Sequence, residues 1–275
     1  MNLNIRNSKW NGLFSAVIAS IILLNACNDK DDPGAGQQPV MPPASSMEPD
    51  FSYFNEENNP NGRVETVNNW LVAAANVTFY SSILGSHLVV PVTAYKVALQ
   101  QEATFDTELD IWVWAYETTV GSAGTFQVRL TADVSNSGIN WTGYISKEGS
   151  FEDFIWFEGT SEIGGEAGTW TLYENHTTGA EWLSAEWSKS DVEGKANVKF
   201  TVEAPGDHLG SSISYAINET EGFNRSVIIV DTNVDNTVTA HWNSETKIGR
   251  VKSPAHYQDE DFHCWDGTLQ DTDCQ

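Results

Sequence analysis

The sequence predicts a mainly β fold, an antiparallel meander of about eleven strands with one or two short helices before it. Three observations lead there. Between Asp110 and Lys252 apolar residues recur with a period of two. Turn residues such as Ser135-Asn136-Ser137-Gly138, Gly164-Gly165 and Pro205-Gly206 interrupt this pattern at intervals of roughly 11 to 15 residues. Such intervals hold a strand and a tight turn but no crossover helix, so neighbours in sequence should pair antiparallel. So many twisted strands tend to close into an up-and-down barrel or split into a β-sandwich, because open edges invite association.

Taken in chain order, the first element is an address. Arg6 and Lys9 form a basic start, and Leu13 to Leu24 runs apolar for 12 residues. As a helix this run would rise only ~18 Å, too short for a ~30 Å hydrocarbon core. Residues 1–26 therefore read as a secretory signal peptide. Leu24-Asn25-Ala26-Cys27 resembles a bacterial lipobox, which implies cleavage before Cys27 and a lipid, palmitate included, attached to it. Asn28-Asp29-Lys30-Asp31-Asp32 is similar to the Lys-Asp-Asp export signal of surface-displayed lipoproteins in some Gram-negative bacteria. Together the resemblances imply an outer-membrane lipid anchor and display at the cell surface; without the export signal the domain would face the periplasm.

Residues 27–60 are acidic and rich in Pro, Gly and Ser, which predicts a flexible tether. The remainder, 61–275, reads as a single β-rich domain with a helical prelude (61–102) and a polar tail (253–275). In the prelude, Val64, Val67, Leu71, Ala74 and Ala75 recur at helical spacing. A second helix is expected to start at Pro91, with Val92, Tyr95 and Leu99 on its apolar face. Strand alternation is clearest at Phe126-Val128-Leu130-Ala132, Ile139-Trp141-Gly143-Ile145, Val198-Phe200-Val202, Ile213-Tyr215-Ile217 and Val238-Ala240-Trp242. The triplet Gly168-Thr169-Trp170 is similar to the Gly-x-Trp of lipocalins, although there the motif belongs to the first strand.

Charge narrows the partners. The chain carries 14 Lys and Arg against 38 Asp and Glu, a net charge of -24. Such a surface repels phosphate backbones, which excludes nucleic acid as a partner class. The membrane partner is then reached through the Cys27 lipid, not a basic patch.

Chemistry-bearing motifs are few. Cys264 and Cys274 form an even pair in an exported chain, so a disulfide is expected. No Cys-x-x-Cys or His-x-x-x-His spacing fixes a metal site, and no cofactor is expected. Asp231-Thr232-Asn233-Val234-Asp235-Asn236 matches half of a calcium loop, but Trp242 stands where the bidentate Glu belongs, so a hairpin turn is expected. No nucleophile elbow, phosphate loop or zinc-protease helix occurs, and no catalytic residue can be picked.

Aromatics are in excess, with 11 Trp. Trp112, Trp114 and Tyr116 share one strand face and form a candidate ligand platform, the alternative being that the rings fill the core. The expected function is a non-enzymatic binding module at the cell envelope, for a glycan, a small apolar ligand or an envelope protein. The alternatives are a carboxylate-dependent hydrolase or a structural envelope component.

Overall fold

The computed structural model of the chain describes residues 37–54, 68–193, 195–220 and 222–274. The expected signal peptide, Cys27, the run similar to a Lys-Asp-Asp export signal, and Val64 and Val67 of the expected first helix lie outside them.

All the described strands form one sheet, antiparallel throughout, whose spatial order is the sequence order. They are β1 (Thr104–Asp106), β2 (Ile111–Val120), β3 (Gly124–Ser135), β4 (Gly138–Lys147), β5 (Phe151–Ser161), β6 (Ala167–Tyr173) and β7 (Glu181–Lys189). There follow β8 (Ala196–Val202), β9 (Ser212–Thr220), β10 (Phe223–Asp231), β11 (Asn236–Trp242), β12 (Gly249–Lys252), β13 (His263–Trp265) and β14 (Asp271–Thr272). The eleven strands expected between Asp110 and Lys252 are β2 to β12. Three short ones outside that window, β1, β13 and β14, bring the sheet to 14. It is a single sheet, so the sandwich alternative falls, and β1 and β14 remain as edges, so it does not close as a barrel.

Something other than closure must bury the inner face. That element is α1 (Asn69–Ala98), a 30-residue helix in place of the short ones expected. Asn68 caps it, its Oδ1 accepting from the Leu71 amide at 2.9 Å. Pro91 lies inside the helix instead of starting a second one. It has no N–H for the carbonyl four residues back, and its ring crowds that carbonyl. The helix axis accordingly turns by 75° between Asn69–Gly85 and Leu88–Ala98.

The helix touches β2 and β3 near one edge of the sheet and β10 to β13 near the other, so the sheet curls around it. Ala73, Ala94 and Ala98 are fully buried there, small enough for the helix to nest close to the strands. Inward-facing strand residues complete the core: Leu130, Ile145, Phe157, Trp170, Phe200, Val251 and their neighbours are all buried. On β3 the outward positions Gln127, Arg129 and Asp133 are polar. No single described helix is long and apolar enough to cross a membrane.

Residues 37–54, within the stretch read as a tether, are instead a strap laid against the fold. Met47 and Phe54 are buried, Trp170 Nε1 donates to Ser46 Oγ at 3.1 Å, and the Ala196 amide donates to Ser45 Oγ at 2.7 Å. Composition suggested flexibility because it averages over the segment. Isolated apolar anchors in a polar stretch are invisible to an average, yet each fully buried one is worth ~1.5 to 3 kcal/mol.

The tail also packs. Cys264 and Cys274 are joined by a disulfide, with Cα atoms 5.2 Å apart. β13 pairs with β12 and β14 with β13, so the tail extends the sheet. It also reaches the start of α1, where Asp271 Oδ1 accepts from the Asn69 amide at 2.8 Å and Asn69 Nδ2 donates to the Cys264 carbonyl at 2.9 Å.

Candidate functional site

The expected platform is not open. Trp112, Trp114 and Tyr116 do share one face of β2, but it is the inner one. Trp114 is fully buried with its ring 5.8 Å from that of Trp141. Trp112 packs on Phe105 at 5.2 Å, and the Tyr116 hydroxyl donates to the Ala94 carbonyl of α1. Burial of Tyr116 pushes its hydroxyl well above the usual tyrosine range. Trp114 and Tyr116 are thus engaged in the core and against α1, and Trp112 is half-buried beside Phe105.

The EF-hand-like run is a turn. Asp231 pairs with Asn236 across the β10–β11 hairpin, and Asp231 Oδ1 accepts from the Asn233 amide at 2.9 Å. Among the described residues, no group of three or more His, Cys, Asp or Glu is placed to hold a metal ion.

Space opens elsewhere, where α1 bends. A groove of about 600 Å³ runs between the strap, the bend of α1 and β9. Its walls are apolar: Met47 from the strap, Leu84, Leu88 and Val92 from α1, and Ile217 from β9. Its rim is charged, with Glu48 and Asp50 on the strap, Lys96 on α1 and Lys195 just before β8. Lys96 and Glu48 form an ion pair across it.

Two smaller spaces adjoin. One, of about 210 Å³, shares Asp50, Ser52 and Tyr215 with the groove and adds Arg225, Trp242 and Lys247. The other, of about 170 Å³, shares Leu84 and lies between α1 and β7 to β9, walled by Ile83, Trp182, Phe200 and Ile213. At its mouth the Tyr80 hydroxyl donates to Asp231 Oδ2, and His208 Nδ1 stands 3.4 Å from Asp231 Oδ1.

Asp50 is the electrostatic centre of the rim. Its carboxylate accepts from the Ser52 amide at 3.0 Å. The Ser52 hydroxyl is the main cause that holds its carboxyl below the usual range, burial opposes, and the charges of Lys195 and Arg225 assist. Burial raises the Tyr215 hydroxyl, and Arg225 partly opposes this.

Sequence reasoning missed this site because its parts come from residues 47–52, 80–96, 195, 215–217 and 225, which only the fold brings together. One signal was present: in so acidic a chain, basic residues such as Lys96, Lys195 and Arg225 are scarce enough to be worth following. No protein-family model matches the chain, and no curated protein or solved structure matches it significantly.

Proposed function

We propose that the chain is an exported, lipid-anchored binding protein at the cell surface that takes a small lipophilic molecule into the groove at the bend of α1. The observation that carries this reading is the groove itself. A space of about 600 Å³ with apolar walls and a few convergent polar groups falls in the range of small-molecule sites. The adjoining apolar space beyond Leu84 offers depth for a hydrocarbon tail. The glycan reading loses its support, since the row of rings on β2 points inward. The lipobox and the Lys-Asp-Asp run support the anchor and its display.

The test uses residues 28–275, which contain the compact unit Pro33–Gln275 whole and need no detergent. The neutral dye N-phenyl-1-naphthylamine should brighten on binding. Val89 lines the groove yet is 49% exposed, so Val89→Trp can fill the space without disturbing the core. Dye affinity is expected to fall about tenfold, near 1.4 kcal/mol, at unchanged melting temperature. Equal affinity in the variant removes the groove as the site.

A further inference from the structure

We infer that the ligand is a free single-chain amphiphile with an anionic head, a long-chain carboxylate in its simplest form, whose head is received at Lys195 and Arg225. This rests on the groove reading above and adds the chemistry of the ligand to it.

The argument is one of charge placement. The chain has 14 basic residues against 38 acidic ones. The described part holds ten of the basic ones: Lys96, Arg129, Lys147, Lys189, Lys195, Lys199, Arg225, Lys247, Arg250 and Lys252. Four of these, Lys96, Lys195, Arg225 and Lys247, line the groove and the space that joins it at Asp50 and Tyr215, where among the described residues only Glu48 and Asp50 oppose them. The overall excess of acid is thus reversed at one place, and that place is where apolar walls begin.

An anion is already at home there. Asp50 sits on the strap with its carboxylate fixed by Ser52 and favoured by Lys195 and Arg225. Lys96 is engaged by Glu48, whereas among the described residues no carboxylate lies within ion-pair distance of Lys195. A bound carboxylate would share Lys195 and Arg225 with Asp50 and place its tail along Leu88 and Leu84 toward Phe200. Lys and Arg suit this role because they supply donors without acceptors. A cationic head would meet the same two bases, and a neutral head would leave them unused.

Competition against the bound dye distinguishes the cases, with dodecanoate, 1-dodecanol and dodecylamine each below its aggregation limit. Dodecanoate should displace the dye at about 3- to 10-fold lower concentration than dodecanol, an advantage that shrinks in 0.5 M NaCl. Lys195→Ala should erase most of that advantage. Asp50→Asn keeps the acceptor for Ser52 but removes the competing charge, so it should improve dodecanoate and leave dodecanol unchanged. Equal potency of dodecanoate and dodecanol would overturn the inference and leave the groove reading intact, as would tighter binding of dodecylamine. Failure of all three to displace the dye would remove the groove reading as well.

Discussion

At the scale of single residues, the aromatic excess has a partner in glycine. Phe157 lies opposite Gly143, Trp170 opposite Gly159, Trp187 opposite Gly168, and Trp265 opposite Gly249, each pair in register on adjacent strands. In every case the ring lies over the glycine. A Cβ on Gly143 would come 2.3 Å from the Phe157 ring, and one on Gly249 would come 2.1 Å from the Trp265 ring. At these four places the ring occupies the space that a side chain on the neighbouring strand would take. Gly168→Ala is the sharpest probe, because its Cβ would stand 2.1 Å from the Thr160 carbonyl oxygen and 2.7 Å from the Trp187 ring. Overpacking of this kind costs about 1 to 3 kcal/mol, or roughly 2 to 12 °C of melting temperature for a domain of this size. Gly85→Ala is the control, since nothing lies within 4 Å of its Cβ and alanine favours the helix. Equal melting temperatures for Gly168→Ala and wild type would show that the pairs are not tight. The pairs could not be read from the sequence, although both residue types were counted, because pairing depends on a register that alternation alone does not set.

At the scale of elements, α1 is held by polar contacts at both halves: Tyr95 donates to the Pro42 carbonyl of the strap at 2.6 Å, and Tyr80 donates to Asp231 of β10. Burial alone would raise the Asp231 carboxyl, but the Tyr80 hydroxyl, the Asn233 amide and the charge of His208 together hold it below the usual carboxylate range. The folded value therefore lies below the ~3.9 of an unfolded chain. Its contribution to stability is complete above that value and is lost as pH falls through the folded one. Tyr80→Phe removes the hydroxyl that anchors this carboxylate and should cost about 1 to 2 kcal/mol at pH 7. Urea unfolding of both proteins at pH 7 and at pH 3 checks the sign, since the gap should narrow in acid. A gap of the same size at both pH values would mean that the hydroxyl acts through packing alone. Elements differed in how well the sequence foretold them, and for a physical reason. β2 to β12 were legible because a period of two repeats locally. β1, β13 and β14, of three, three and two residues, are too short to show any period. α1 is buried by the sheet around much of its girth, so it lacks the single apolar stripe that marks a surface helix, and Pro91 made it look like two.

At the scale of the whole molecule, β3 turns polar side chains outward and the net charge is -24. Both properties bear on how the proposed lipid anchor would hold the protein at a membrane. A surface of that sign is repelled by anionic headgroups, and the buried apolar side chains of α1 are spent on the sheet. Under the proposed function, attachment would then fall to the lipid on Cys27. A single acyl chain binds only marginally while several bind stably, so an acylated N-terminus is sufficient as the sole anchor. Cys27→Ala should move the processed protein from the membrane pellet to the soluble fraction. Its fold should stay unchanged, because Cys27 lies outside the compact unit Pro33–Gln275. Melting curves of the soluble mutant and the detergent-extracted wild type should coincide within a few degrees. Mutant chain that has lost its signal peptide and still sediments with membranes after a high-salt wash would mean that the protein surface, or a partner bound to it, holds the protein there.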